Sequence, residues 1–328
     1  MSKYAFIKHV RFFGLVATAI AAVHPASVIA AGVSAGTLIQ STATATYTAG
    51  TMNGSVQSNT LSVKVDELLD VAVSSLSGST TTIGSNQVVL TYAVTNTGNG
   101  DEAFNIHVDP AVAGNQFDAV VQAIAIDSNG NNAYDAGVDL QLTNHNATPS
   151  IAPDGMVRIF VVVSLPASAS DMQTSSVQLS AEAVTGSGSA GTAYAGQGTS
   201  STDAVVGASG ALAFANNDLL ASLAVVTLTK SANIVDPFGG TQPVPGAIVT
   251  YIITAAVSGT GQAEGLQIAD VIPTGTTYQN GTLKLEGASL SDASDSDAGN
   301  ASASGVNVNL GTIAGGTNQT VKFDVKIN

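Results

Sequence analysis

The chain has 328 residues, with 23 acidic against nine basic side chains, a formal net charge of −14 and no cysteine. That balance excludes nucleic acid as a partner, because neutralising phosphates takes clusters of Lys and Arg. The lack of thiols excludes disulfides, thiolate zinc sites and thiol catalysis, so the fold must be held by packing, for which the length is ample.

Residues 1–35 read as a signal peptide. Lys3, Lys8 and Arg11 precede a twelve-residue apolar core, FFGLVATAIAAV, too short for the roughly 20 residues that span a bilayer. Cleavage is expected after Ala30 or Ala35, the second being preferred. The mature product keeps six basic and all 23 acidic residues. It is expected outside the cell or on its surface, with the periplasm as the alternative, and without an integral membrane segment.

Residues 36–69 alternate small apolar residues with Thr on both sides of Asn53-Gly54, a β-hairpin signal, and this hairpin is expected to pack on the first sandwich. The row Thr42, Thr44, Thr46 reads as an exposed strand face in preference to an ice-binding one. The sequence leaves open whether this segment pairs within the chain or with the sheet edge of another subunit.

Residues 70–185 read as a first β-sandwich. Strands are expected at Val71–Leu76, Val88–Thr95, Asn105–Val108, Val120–Ile126, Val157–Ser164 and Ser175–Thr185, each rich in β-branched side chains that suit a pleated surface. Between two of them lies IAIDSNGNNAYDAGVD. Asp127, Asn129, Asn131 and Asp135 fall at positions one, three, five and nine, with the Ala133 carbonyl at seven and Asp139 at thirteen. Such spacing offers hard oxygen ligands to calcium, although Gly130 is at the fourth position where an EF-hand has its Gly at the sixth. An Asx-rich solvated turn is the equal alternative. Asn146-Ala147-Thr148 is a glycosylation sequon by pattern only. His107 and His145 have no motif-spaced partner.

Residues 186–218 begin with GSGSAGTAYAGQGTSST and read as a Gly/Ser-rich connection. Residues 219–328 read as a second sandwich, centred on PGAIVTYIITAAVSGTGQAEGLQIADVIPTGTTY, Pro245 to Tyr278. Val249, Tyr251 and Ile253 alternate with Thr250 and Thr254, a half-buried strand, and Leu266–Ile272 forms the next one up to the breaker Pro273. A weaker copy runs from Gln87 to Pro110: Thr91-Tyr92 matches Thr250-Tyr251, and Gly98 and Gly100 match Gly259 and Gly261. Few elements look helical.

The second copy resembles the bacterial surface conserved-repeat domain, known as domain of unknown function eleven. The residues that carry the resemblance are Lys230, Pro245-Gly246, Thr250-Tyr251, Gly259-Thr260-Gly261 and Asp270-Val271-Ile272-Pro273, and Asn96-Thr97-Gly98 in the first copy keeps the usual turn. The resemblance covers about the last hundred residues. It implies an immunoglobulin-like sandwich on a secreted or surface protein, with no established enzymatic activity.

Two further constellations occur in this half. Asp292, Asp295 and Asp297 near Asn300 form a second acidic cluster, read as a solvated loop with calcium as the minor alternative. Lys230, with Asp324 or Asn328 as partner and Glu264 or Asp270 as proton shuttle, is a weak candidate for an intramolecular amide cross-link; an ordinary strand Lys is the favoured reading. The last strand alternates Val321, Phe323, Val325 and Ile327 against charged residues, with no hydrophobic tail following, so surface attachment is expected through assembly or a partner.

The expected fold is all-β, with two immunoglobulin-like β-sandwich domains in tandem. The expected function is that of a non-catalytic secreted or cell-surface structural protein that self-assembles or binds other surface proteins. The alternative is a soluble adhesion module recognising a glycan or a surface protein. A secreted hydrolase ranks last.

Overall fold

The computed structural model describes residues 32–49 and 51–328, so residues 1–31 of the expected signal peptide lie outside the described residues. Among the described residues, regular structure is strand throughout, apart from one 3-10 turn at Thr199–Ser201. Alternating β-branched residues, interrupted by Gly and Asn, allow little else.

Four strands form an N-terminal arm: β1 (Leu38–Ser41), β2 (Thr44–Ala49), β3 (Met52–Gln57) and β4 (Leu61–Lys64). β1 pairs with β4 and β2 with β3, both antiparallel. Ala49 faces Met52 and Thr48 faces Asn53, so Asn53-Gly54 lies inside β3 and is not the expected turn. Gly54 lies opposite Tyr47, and a Cβ there would come within 2.4 Å of the Tyr47 ring. Its role is to make room for that ring.

The arm does not pack on the sandwich as expected. Its apolar side chains, among them Leu38, Ile39, Tyr47, Met52, Val56, Leu61 and Val63, are exposed. Only its base is fixed, and Asn99 holds both legs. The Asn99 amide donates to the carbonyls of Val33 (3.0 Å) and Asp66 (3.1 Å), while its Oδ1 accepts from Leu68 N–H (2.6 Å). Ala35 N–H adds a bond to the Asn99 carbonyl, and Lys64 Nζ donates to the Ser200 carbonyl. Cleavage after Ala30 keeps the Val33 and Ala35 contacts, whereas cleavage after Ala35 removes them.

The first sandwich contains β5 (Glu67–Leu69), β6 (Val71–Ser75), β7 (Thr81–Ile83), β8 (Val88–Asn96), β9 (Phe104–Asp109), β10 (Val120–Ile126), β11 (Leu140–Leu142), β12 (Met156–Ser164), β13 (Thr174–Ala183), β14 (Ala193–Gly198), β15 (Thr202–Val206) and β16 (Leu212–Ala221). One sheet has the order β11-β10-β12-β8-β6 and the facing one β7-β16-β13-β9. Inward residues such as Leu90, Tyr92, Val94, Ile106, Ile159, Val161 and Leu179 fill the space between them. Tyr92 OH donates to the Val177 carbonyl at 2.8 Å, tying strand β8 to β13 in the opposite sheet, and its burial pushes the phenol pKa up.

Residues 186–218 are not a connection. β14 and β15 pair with each other, β15 runs parallel to β5, and β16 pairs with β13 along its whole length. Ala204, Val206, Ala211, Leu219 and Ala221 are buried in the first core. The segment reads as flexible because its inward positions are small residues with little hydropathy contrast. One of them is polar: Asn217 is buried and accepts from Ser75 Oγ. The first sandwich therefore runs to Ala221.

The second sandwich contains β17 (Ala224–Val235), β18 (Ile248–Gly259), β19 (Gln262–Val271), β20 (Thr276–Tyr278), β21 (Lys284–Leu285), β22 (Ala288–Ser289), β23 (Gly299–Ala301), β24 (Gly305–Ala314) and β25 (Thr317–Ile327). Its larger sheet has the order β17-β18-β25-β21-β22, with β20 also on β25, and the smaller one β19-β24-β23. Val249, Ile253, Ile268, Val308, Val321, Phe323 and Val325 form its core.

The glycines of the internal repeat do the same work in both copies. A Cβ at Gly98 would lie 2.1 Å from the Leu68 carbonyl oxygen, and one at Gly259 would lie 2.2 Å from that of Leu223. Each lets the turn after the Tyr strand close onto the backbone that enters the domain's first long strand. In the second copy this contact also joins the domains. Asp171 of the first sandwich accepts from Leu223 N–H (2.8 Å), Thr260 N–H (2.9 Å) and Thr260 Oγ1 (2.6 Å).

The Thr260 hydroxyl first, then the Leu223 and Thr260 amides, hold the Asp171 carboxyl below its ordinary value of 3.8. A lowered carboxylate pKa contributes stability that is complete above that ordinary value and lost as pH falls through the native one. We expect calorimetry at pH 7 to show one cooperative transition for the native chain and two for Asp171→Ala, the native chain separating only at pH below 3.8. A single transition in the variant would show that the clamp does not couple the domains.

Candidate functional site

The loop between β10 and β11 brings together most of the ligand set expected for calcium. The amides of Asn129 and Asn131 both donate to Asp135 Oδ2, at 3.0 and 2.5 Å. Asp127 lies at the loop entrance, where its two carboxylate oxygens accept from Gly130 N–H (2.7 Å) and Asn132 N–H (3.0 Å). Positive φ at Gly130 and Asn132 turns the chain so that these side chains converge. Two carboxylates and two amides are the kind of oxygen donors a hard cation takes. Here, however, both Asp127 oxygens and the Asn129 and Asn131 carbonyl oxygens accept from backbone N–H groups, and no group of three or more acidic or histidine side chains gathers among the described residues.

Three features modify the expected ligand set. Asp139 is buried and, like Asp127, accepts from backbone with both oxygens, from Ser128 N–H (3.1 Å) and Asp135 N–H (2.7 Å); its burial and the span of these bonds make it a staple between the loop ends. Ala133 contributes its N–H to Asn131 Oδ1 at 2.8 Å. Arg158 sits 3.5 Å from Asp127 and offsets part of its charge.

The second acidic cluster diverges. Asp292 turns toward β20, accepting from Tyr278 OH (2.6 Å) and Gly281 N–H (2.7 Å). Burial, with Asp292 beside it, pushes the Tyr278 phenol up to about 12. Asp297 accepts from Ser291 N–H (2.6 Å) and Gly299 N–H (2.8 Å), which hold its carboxyl below the ordinary value. Asp295 accepts from Asp297 N–H at 2.9 Å. Each carboxylate answers a different backbone group.

Lys230 makes an ion pair with Asp270, Nζ to Oδ2 at 2.5 Å, and lies 4.2 Å from the centre of the Tyr251 ring. Its side chain is 38% exposed. Amide formation requires a buried amine, whereas this one is part exposed and ion-paired with Asp270. Asn328, the terminal partner weighed above, accepts instead from Thr277 Oγ1 at 2.7 Å.

Two features escape the sequence reading. His107 and His145 stack, with ring centres 4.2 Å apart, because His145 N–H bonds to the Ile106 carbonyl and lays its loop along β9. Only a signal for that non-local pairing would have joined them. Phe238 stands 90% exposed in the β17–β18 loop. Buried Asp236 fixes that loop by accepting from the N–H groups of Phe238, Gly240 and Gln242, which hold its carboxyl below the ordinary value. The Asp-Pro-Phe-Gly-Gly stretch is a readable turn signal, but not one for a presented aromatic.

No family model matches this chain, and no curated protein does. Among solved structures it is similar to zebrafish RET cadherin-like domains 1 to 4, at 10% identity and a TM-score of 0.24, covering 67% of this chain and 54% of that one. The chain thus spans about half the length of that structure. It is also similar to the collagen adhesin CNA from S. aureus, at 11% identity and a TM-score of 0.21, covering 79% of this chain and 80% of that one. At such scores neither carries an argument about what this chain binds.

The geometry at Lys230 makes a direct prediction. The intact mass of the exported chain is expected to equal that of the unmodified polypeptide; loss of one ammonia or one water would contradict the ion-pair description.

Proposed function

We propose that this chain is a non-catalytic structural protein, exported to the cell surface or its surroundings and built from immunoglobulin-like domains. The observation that carries this reading is the design of the molecule: two sandwiches clamped directly at Asp171, with an exposed strand arm held out from Asn99. Linkerless domains suit a load-bearing or spacing role better than a hinge around a ligand. The resemblance of the second domain to the conserved-repeat surface domain, and the signal-peptide pattern, support the same compartment. Light scattering of the mature chain across a concentration series is expected to show growth into regular oligomers. A monodisperse monomer at every concentration would contradict the structural role.

One observation favours a second reading, an adhesion module for a glycan or a surface protein. Phe238 is a rigidly presented aromatic, the kind of side chain that anchors an interface. Loss of binding to a captured partner in Phe238→Ala, with unchanged oligomer growth, would identify this role.

Calcium at the β10–β11 loop is part of the proposal. Asp127, Asn129, Asn131 and Asp135 would hold it, and the ion would supply a rigid cross-tie within the loop. A ligand that binds only the native state stabilises it by about 2.7 kcal/mol at a hundredfold excess over Kd. The melting temperature is therefore expected to rise with calcium in the native chain and not in Asp127→Ala or Asp135→Ala. No rise in the native chain would eliminate the site.

A further inference from the structure

Two long exposed surfaces of this acidic chain carry no acid. The first acidic residue in the whole sequence is Asp66, so the entire arm, β1 to β4, is acid-free, and Lys64 is its sole charged strand residue. The second surface is β17. No acid occurs between Asp218 and Asp236, and Lys230 is the only charge on that strand.

β17 is also an open edge. It ends the larger sheet of the second sandwich, pairs among the described residues only with β18, and exposes side chains on both faces, including Val225, Val226, Leu228 and Val235. Open edges are usually blunted by charge, bulge or shortness. The other long edge of this domain, β19, is blunted in that way: its register shifts near Ala263 and Leu266, and it carries Glu264 and Asp270. On β17 the one deterrent charge, Lys230, is drawn across the sheet face to Asp270 and Tyr251. Twelve residues of ladder are left unguarded.

The arm matches this edge in chemistry and length. Leu38–Ala49 spans twelve residues with one break at Thr42-Ala43, and each arm strand has one unpaired side among the described residues. Placement decides the occupant. The start of β8 shares a surface cavity with Thr260 to Glu264 at the domain junction, whereas the arm base lies just past the other end of β8, about 30 Å away. β17 starts at the junction, where Ala224 faces Gly259, and runs about 40 Å away from it. Arm and edge thus belong to different domains: the arm is rooted at the end of the first sandwich far from the junction, and the edge runs away from the junction in the second.

We infer that the arm of one copy adds to the β17 edge of a second copy. The contact is heterologous, because the two surfaces differ, so it propagates head to tail instead of closing as a two-fold dimer. It places the acid-free strips of neighbouring copies together and leaves the acidic surfaces in solvent. This inference rests on the structural reading above and names its interface.

The test uses the full mature chain with two double variants at exposed positions, each checked for native melting. Ile39→Asp with Ala45→Asp charges the arm segment; Val226→Asp with Leu228→Asp charges the edge. We expect each variant alone to be monomeric where the native chain forms oligomers, and a 1:1 mixture to yield a heterodimer and nothing larger, since one intact arm meets one intact edge. If the edge variant still assembles alone, pairing is arm to arm and the inference fails. Assembly of the arm variant alone overturns it equally. Native assembly unaffected in both variants overturns this interface while leaving the structural role intact, and a native chain that stays monomeric overturns both.

Discussion

The contact between Gly259 and the Leu223 carbonyl governs the arrangement of this molecule. Without a side chain at Gly259 the turn after β18 closes onto the two-residue step that leaves the first sandwich, and Asp171 can reach both Leu223 and Thr260. No linker intervenes: Ala221 lies in the first core, and Ala224 already pairs with Gly259. A junction made of backbone contacts and one carboxylate has little freedom to bend, so the direction of β17 is set by the first domain. The equivalent contact at Gly98 and Leu68 does the same for the entry of the arm's second leg into the first sandwich.

Charge then distinguishes the surfaces that these contacts position. A chain with 23 acids and nine basic residues repels its own copies over most of its surface. At physiological salt that repulsion is screened beyond about 8 Å, so close approach is decided locally. The arm and the β17 edge are places where apolar residues and unpaired backbone are presented without a nearby row of carboxylates. Elsewhere the acids have structural employment: Asp236 fixes the Phe238 loop, Asp139 staples the calcium-like loop, and Asp292 and Asp297 order the loop before β23.

Much of the fold is legible in the sequence because its strands alternate large β-branched residues with polar ones. β10 spans Val120–Ile126 as expected, and the Tyr strands lie where the internal repeat places them. Legibility ends where contrast or locality does. β14 to β16 bury Ala and Asn, which resemble a linker by composition, and β16 finds its partner in β13 across a long intervening segment. Asn53-Gly54 reads as the hairpin turn because Asn-Gly is a strong turn signal, yet here the glycine serves the Tyr47 ring. Of the candidate sites, spacing located the Asp127 to Asp135 convergence, but it could not show that Asp139 turns to backbone or that Asp292 faces Tyr278. Those outcomes depend on neighbours distant in sequence, as do the histidine stack and the Asp171 clamp.

Native-state amide hydrogen exchange, recorded at increasing protein concentration, tests the central claim most directly. In dilute solution the outward amides of Leu38–Lys64 and Ala224–Val235 should exchange freely, being strand groups without a ladder partner. On assembly, protection is predicted to rise in both segments together and to leave the core strands of either sandwich unchanged. Protection that rises in only one of the two segments, or in neither while the chain assembles, would contradict the account.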